Sequence, residues 1–194
     1  MKVRLIAPPW GAPALTSEVE EAVEILGSNV WAESSVEFYA NREAKISVGK
    51  HAPKGMQQTL NAIIDKKFHD AGWDGDAGYY VKNTTWIRVT FRHQMSLGSD
   101  IVDALKVCKK EGITLAVILA ANRKTLNVIS PNDAAAIVSF EKLHNEIVSL
   151  NGALDIPLLI GELTPKSSAS QVIEDSLRQE RPRDVTIPTD KKTR

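Results

Sequence analysis

Hydrophobic positions recur along this chain with two periods, three-to-four and two, and the changes from one to the other mark out its elements. Residues 1–6 predict a short strand or extended arm, closed by a turn-forming run of Pro8, Pro9, Gly11 and Pro13. Ser17 and Glu20 form a capping box, and Val19, Ala22, Val23 and Leu26 supply the stripe of a first helix that Gly27 stops. The mixed segment 30–48, with Glu33, Glu37, Arg42, Glu43 and Lys45 scattered through it, predicts one or two strands around Trp31 and Phe38-Tyr39. From 55 to 73 the spacing of Met56, Leu60, Ile63, Ile64, Phe68 and Ala71 predicts a second helix ending at Gly72.

The middle of the chain changes period. Beta-favouring stretches 79–82 and 85–91 flank a turn at Asn83-Thr84, after the acidic turn Asp74-Gly75-Asp76, and predict a hairpin. A helix over 101–109 closes at Gly112, and a strand over 113–120 follows, an order that favours an α/β sheet with a crossover. Residues 122–131 read as a loop. A long helix over 132–150 carries Ile137, Phe140, Leu143, His144, Ile147 and Leu150 on one face, and His144 reads there as a core residue. The continuously apolar strand 156–160 is expected inside the sheet. Residues 1–163 thus form one α/β domain with a central mixed sheet flanked by helices. Residues 164–194 form a charged tail, rich in Ser, Thr and Pro, with one weak helical patch near 172–177.

Composition narrows the classes. The chain has 194 residues, 43% of them hydrophobic and 6% aromatic, enough for one core of ordinary size. Its longest apolar stretch, 113–121 interrupted by Thr114, is far short of the roughly 20 residues of a spanning helix. With no basic-then-apolar leader at its start, the expected location is cytoplasmic and away from membranes. Lys and Arg total 24 against 24 Asp and Glu, so the net charge is zero and only local basic patches can attract a polyanion. The single cysteine, Cys108, lies in a helical pattern and reads as a small buried hydrophobe. Gly-rich phosphate loops, a GxSxG elbow, a His-Glu-x-x-His helix and paired Cys-x-x-Cys are all missing from the sequence.

Several pieces in one order resemble the restriction endonucleases of the BglII and BstYI type, within the PD-(D/E)XK superfamily. They are Leu60-Asn61 on a helix ending in Gly72-Trp73, the hairpin from Tyr80 to Phe91, the strand 115–119, the helix from Phe140-Glu141 to Ser149-Leu150, and Asp155-Ile156-Pro157-Leu158-Leu159-Ile160-Gly161. The resemblance covers roughly residues 60–163. It implies a restriction-endonuclease-like sandwich, dimerisation around double-stranded DNA and cleavage with Mg2+.

The chemistry of that group departs here. Its hairpin carries a metal-binding Asp ahead of the Val-Lys pair and a Glu followed two residues later by Gln; the corresponding positions are Tyr79, Arg88 and Thr90. A divalent cation needs clustered anionic oxygens, which a phenol, a guanidinium and a hydroxyl do not supply. The expectation is therefore a DNA-binding homodimer, its interface on helix 60–68 or 132–150, with no metal held at the customary place. Arg88 then either contacts a phosphate bidentately, or pairs with a carboxylate such as Asp76, or faces solvent. Asn61 matches the helix position of a polar active-site residue of the group. Lys50, His51 and Lys54, then Arg88, Arg92, His93 and Gln94, and Asn122, Arg123 and Lys124 form three small basic clusters suited to phosphates. Two other readings stay open: an active Mg2+-dependent endonuclease with carboxylates relocated to Asp74, Asp76, Asp100 and Glu162, and a subunit that holds a partner protein.

Overall fold

The structure is a computed structural model and describes residues 1–110, 112–150 and 152–166. The charged tail lies almost wholly outside the described residues. Six strands, β1 (Lys2–Ile6), β2 (Asp74–Asp76), β3 (Tyr79–Lys82), β4 (Thr85–Thr90), β5 (Leu115–Ala121) and β6 (Leu158–Thr164), form one sheet in the order β1-β6-β5-β4-β3-β2. The central strands β4, β5 and β6 run parallel, while β1 and the β2-β3 ribbon are antiparallel to their neighbours. The sheet is thus mixed and flanked by helices, as the sequence pattern predicts. β6 lies inside the sheet, as expected, although it runs on to Thr164, one residue past the expected domain boundary.

A parallel core strand must be apolar on both faces, and β5 divides its side chains accordingly. Leu115, Val117, Leu119 and Ala121 enter one core and Ala116, Ile118 and Ala120 the other. On the first face pack α1 (Ser17–Gly27), α2 (Val30–Ser47), α3 (Gln57–Asp70) and α5 (Arg123–Ile129); on the second, α4 (Leu97–Lys110) and α6 (Phe140–Ser149). Both parallel crossovers, β4-α4-β5 and β5-α6-β6, step in the same direction across the sheet, so right-handedness puts α4 and α6 on one side. Among the described residues no helix is long and apolar enough to cross a membrane.

Four local expectations are corrected. Segment 30–48 is a helix: Val30, Trp31, Ser34 and Phe38 are buried at helical spacing, and a buried Ser34 in the apolar stripe disguised the period. The expected loop 122–131 contains α5, capped by Asn122 Oδ1 accepting from the Thr125 N–H. Helix 132–150 begins only at Phe140, under the Ser139 cap, because Ile137 and Val138 face opposite cores in an extended link paired to Arg92 and His93. The cap of α1 is Thr16, whose hydroxyl accepts from the Val19 N–H, rather than Ser17. His144 is half-buried beside the Phe140 ring, and Cys108 is half-buried against the second core.

Candidate nucleic-acid interface

The alternation that sends Ile87 and Val89 of β4 into one core sends Trp86, Arg88 and Thr90 toward the other, beneath α4. Two polar side chains entering an apolar layer must find partners there. They find Asp100, in the first turn of α4 and fully buried at 0% exposure. Arg88 Nε donates to Asp100 Oδ1 at 3.1 Å, Arg92 Nη1 to the same oxygen at 2.8 Å, and Thr90 Oγ1 to Oδ2 at 3.0 Å. Arg88 is itself nearly enclosed, with 12% of its side chain exposed, whereas Arg92 keeps 42% open. The carboxylate partner of Arg88 is therefore Asp100 and not Asp76. Asp76 lies two strands away in the same row, with Tyr79 between them.

The opposite face of the hairpin holds a second carboxylate that the sequence reading passed over. Asp65 of α3 accepts from the Tyr80 hydroxyl at 2.5 Å and from the Gly78 N–H at 3.3 Å. Burial first, and then the hydrogen bond to Asp65, push the Tyr80 phenol far above its ordinary pKa. The sequence signal was the position of Asp65 one turn after Asn61 on the same helix. Lys82, at the end of β3, is spent on Glu21 Oε1 and Oε2 at 2.9 and 2.8 Å and on the Ala71 carbonyl at 2.9 Å.

Three chain segments meet where the parallel strands end, the usual place for a ligand in an α/β sheet. Gly55 packs so closely on Ile129 that an added Cβ would lie 2.5 Å from the Ile129 carbonyl oxygen. The Met56 N–H donates to that same carbonyl at 2.8 Å. Gln57 Nε2 donates to the Phe91 carbonyl at 2.9 Å, tying α3 to the exit of β4. Between these elements lies a polar cleft of about 360 Å³, lined by Lys54, Gln57, Gln58, Asn61, Asn132 and Asp133 among others. Asn61 and Lys54 thus share one cleft. Gln57 of the cleft wall reaches the Phe91 carbonyl, one residue before Arg92, whose side chain turns to Asp100 beneath α4 on the other face of the sheet.

The third expected cluster is partly committed elsewhere. The Arg123 N–H donates to the Glu141 carboxylate, 3.2 Å from Oε1, and Arg123 Nη1 to the Ala134 carbonyl. Although burial pushes it up, the Glu141 carboxyl lies below its ordinary range because its own backbone N–H, the Ser139 hydroxyl and Arg123 hydrogen-bond it. Lys124 and Lys50 are exposed, and His93 Nδ1 accepts from the Met95 N–H. Gln94 Oε1 accepts from Lys142 Nζ at 3.2 Å.

Asp74, Asp76, Asp100 and Glu162 do not gather. Asp74 and Asp76 stand on the edge strand β2, Asp100 is enclosed by its cations, and Glu162 on β6 accepts from Arg4 Nη2 at 2.6 Å and from Asn122 Nδ2 at 2.8 Å. Among the described residues no group of three or more His, Cys, Asp or Glu is placed to hold a metal ion. Mg2+, which the resemblance implies, needs a cluster of hard anionic oxygens, and the hairpin does not fit it. The nearest carboxylate has both oxygens engaged by two guanidinium groups and a hydroxyl.

Strand order, mixed pairing and helices on both faces define a restriction-endonuclease-like fold. Among solved structures, the chain is similar to the crystal structure of restriction endonuclease BglII complexed with a DNA 16-mer. The TM-score is 0.52 at 16% identity, covering 86% of this chain and 79% of that one. Free BglII superposes with a TM-score of 0.48 at 17% identity, over 86% of this chain and 81% of that one. No family model matches the sequence, and no curated protein matches it. At such identity the likeness establishes the fold.

Proposed function

We propose that this protein binds duplex DNA at the polar end of its sheet and does not cleave it by the hairpin-held magnesium chemistry of the nucleases it resembles. The observation that carries the reading is the enclosure of Asp100 by Arg88, Arg92 and Thr90. Two guanidiniums against one carboxylate leave a net positive charge on the strand where a cutter needs negative charge. The half-open face of Arg92 suits a phosphate oxygen, as charge-assisted hydrogen bonds from arginine to phosphate do generally. The fold supports the same reading, since BglII was solved on DNA. So does the amide-rich cleft, where Lys54 can take a phosphate, while at the exit of β4 Arg88 orients Arg92 through their shared carboxylate. Assembly as a homodimer around the duplex and residence in the cytoplasm belong to this proposal.

A gel shift with a mixed-sequence duplex at low salt, run beside plasmid incubated with protein and Mg2+, tests it. A shift that fades steeply as salt rises, with intact plasmid, is expected. Plasmid cleavage that Asp76→Ala abolishes would instead establish relocated carboxylates. Absence of any shift would leave partner-protein binding as the reading.

A further inference from the structure

α2 is longer than its core requires. Its first half buries Val30, Trp31, Ser34 and Phe38, and Lys67 Nζ of α3 reaches Glu33 Oε1 at 2.9 Å, so the two helices run antiparallel. Further along α2, Phe38 and Tyr39 line a small cavity together with Gly55 and Met56, just ahead of the start of α3. Beyond that point α2 continues to Ser47, and every residue from 43 to 51 is exposed. The five exposed helical residues 43–47 span about 7 Å at the normal rise per residue. A helix end with no apolar face against the core gains nothing from packing, and so it stands there for another reason.

Its charge supplies the reason. Residues 42–54 carry Arg42, Lys45, Lys50 and Lys54 against the single acid Glu43, with His51 beside them, in a chain whose net charge is zero. Lys45, Lys50 and Lys54 are exposed and make no ion pair among the described residues. The segment ends at the cleft, because Lys54 and Gly55 form one of its walls.

We infer that the projecting end of α2 and the loop behind it form a basic arm that grips the phosphate backbone of duplex DNA beside the cleft. This inference rests on the reading of the cleft as a DNA site. The arm adds sequence-independent contacts by displacing condensed counterions, which a flexible lysine does well and which leaves a measurable salt signature.

The test compares wild type, Lys45→Gln/Lys50→Gln/Lys54→Gln, and a control, Lys106→Gln/Lys109→Gln, whose lysines lie toward the far end of α4, away from the cleft. Binding of a labelled duplex is followed by anisotropy across salt concentrations. Melting temperatures check that the exposed substitutions leave the fold intact. For the arm variant the slope of log affinity against log salt should fall by about 3, and affinity should drop on the order of a hundredfold at 0.1 M salt. The control should keep the wild-type slope. Wild-type binding with an unchanged slope in the arm variant overturns the arm and the phosphate contact of Lys54, while the DNA reading itself stands. Failure of wild type to bind any duplex overturns the DNA reading and the arm with it. Arm-dependent binding of single-stranded RNA in place of duplex DNA would overturn the assignment of the ligand.

Discussion

Arg88 on β4 and Asp100 on α4 meet at 3.1 Å across the second core, and this contact closes the polar row of the hairpin against the helix that follows it. Removing one member of a buried pair leaves the other charged and unsolvated, at a cost of about 3–5 kcal/mol. Asp100→Asn and Arg88→Ala are therefore expected to lower unfolding stability in urea by amounts of that order. Arg92→Ala, at the more open arm of the triad, should cost about 1 kcal/mol or less. Equal losses for Arg88→Ala and Arg92→Ala would show that burial does not grade the two contacts.

Tyr80 ties stability to alkaline pH. Its phenol is raised in the folded state, by burial first and then by Asp65, while the unfolded chain ionises near the ordinary tyrosine value of about 10. Above that pH the folded state holds a proton that the unfolded state has lost, so stability is full below about pH 10 and declines as pH rises further. Urea midpoints measured from pH 8 to 11 should fall above pH 10 in the wild type and fall less in Tyr80→Phe. In an ultraviolet titration the Tyr80 phenol should remain un-ionised for as long as the protein stays folded. Ionisation of the Tyr80 phenol near the ordinary tyrosine value without unfolding would refute its enclosure.

Gly78 holds the β2-β3 turn close to β4. Its φ of +82° is one that side chains rarely adopt, and an added Cβ would lie 2.2 Å from the Val89 carbonyl oxygen. Its own carbonyl accepts from the Val89 N–H at 2.8 Å, so the turn cannot retreat without losing that bond. Gly78→Ala should cost about 2 kcal/mol or more by thermal or chemical denaturation. Gly98→Ala, with open space around the added carbon, should leave the melting temperature nearly unchanged.

The hairpin, the central strands, α1 and α3 were legible because their stripes are unbroken: Leu60, Ile63, Ile64 and Phe68 all face one core. α2 was hidden by Ser34, a polar residue whose hydroxyl is satisfied within its own helix by the Val30 carbonyl, so that it can be buried where a hydrophobe is expected. α5 was hidden by length, since seven residues give only Leu126 and Ile129 to mark a period. Of the site, Arg88 and Thr90 were readable in sequence as polar residues on a beta-favouring stretch, but the partner of Arg88 was not. Asp100 lies 12 residues further along, and only the packing of α4 over β4 brings it there. Strand pairing hid Asp65 in the same way, since it fixes which face of the hairpin Tyr80 takes.

The central proposal is electrostatic: two guanidiniums and a hydroxyl enclose the Asp100 carboxylate beside the hairpin, so the protein on DNA holds no divalent ion there. Mn2+ titrated into the protein-duplex complex, followed by the paramagnetic resonance of the free ion, tests this directly. The signal should rise as it does with duplex alone, with no added site per protein chain. One tightly held Mn2+ per chain, lost in Asp100→Asn, would contradict the account.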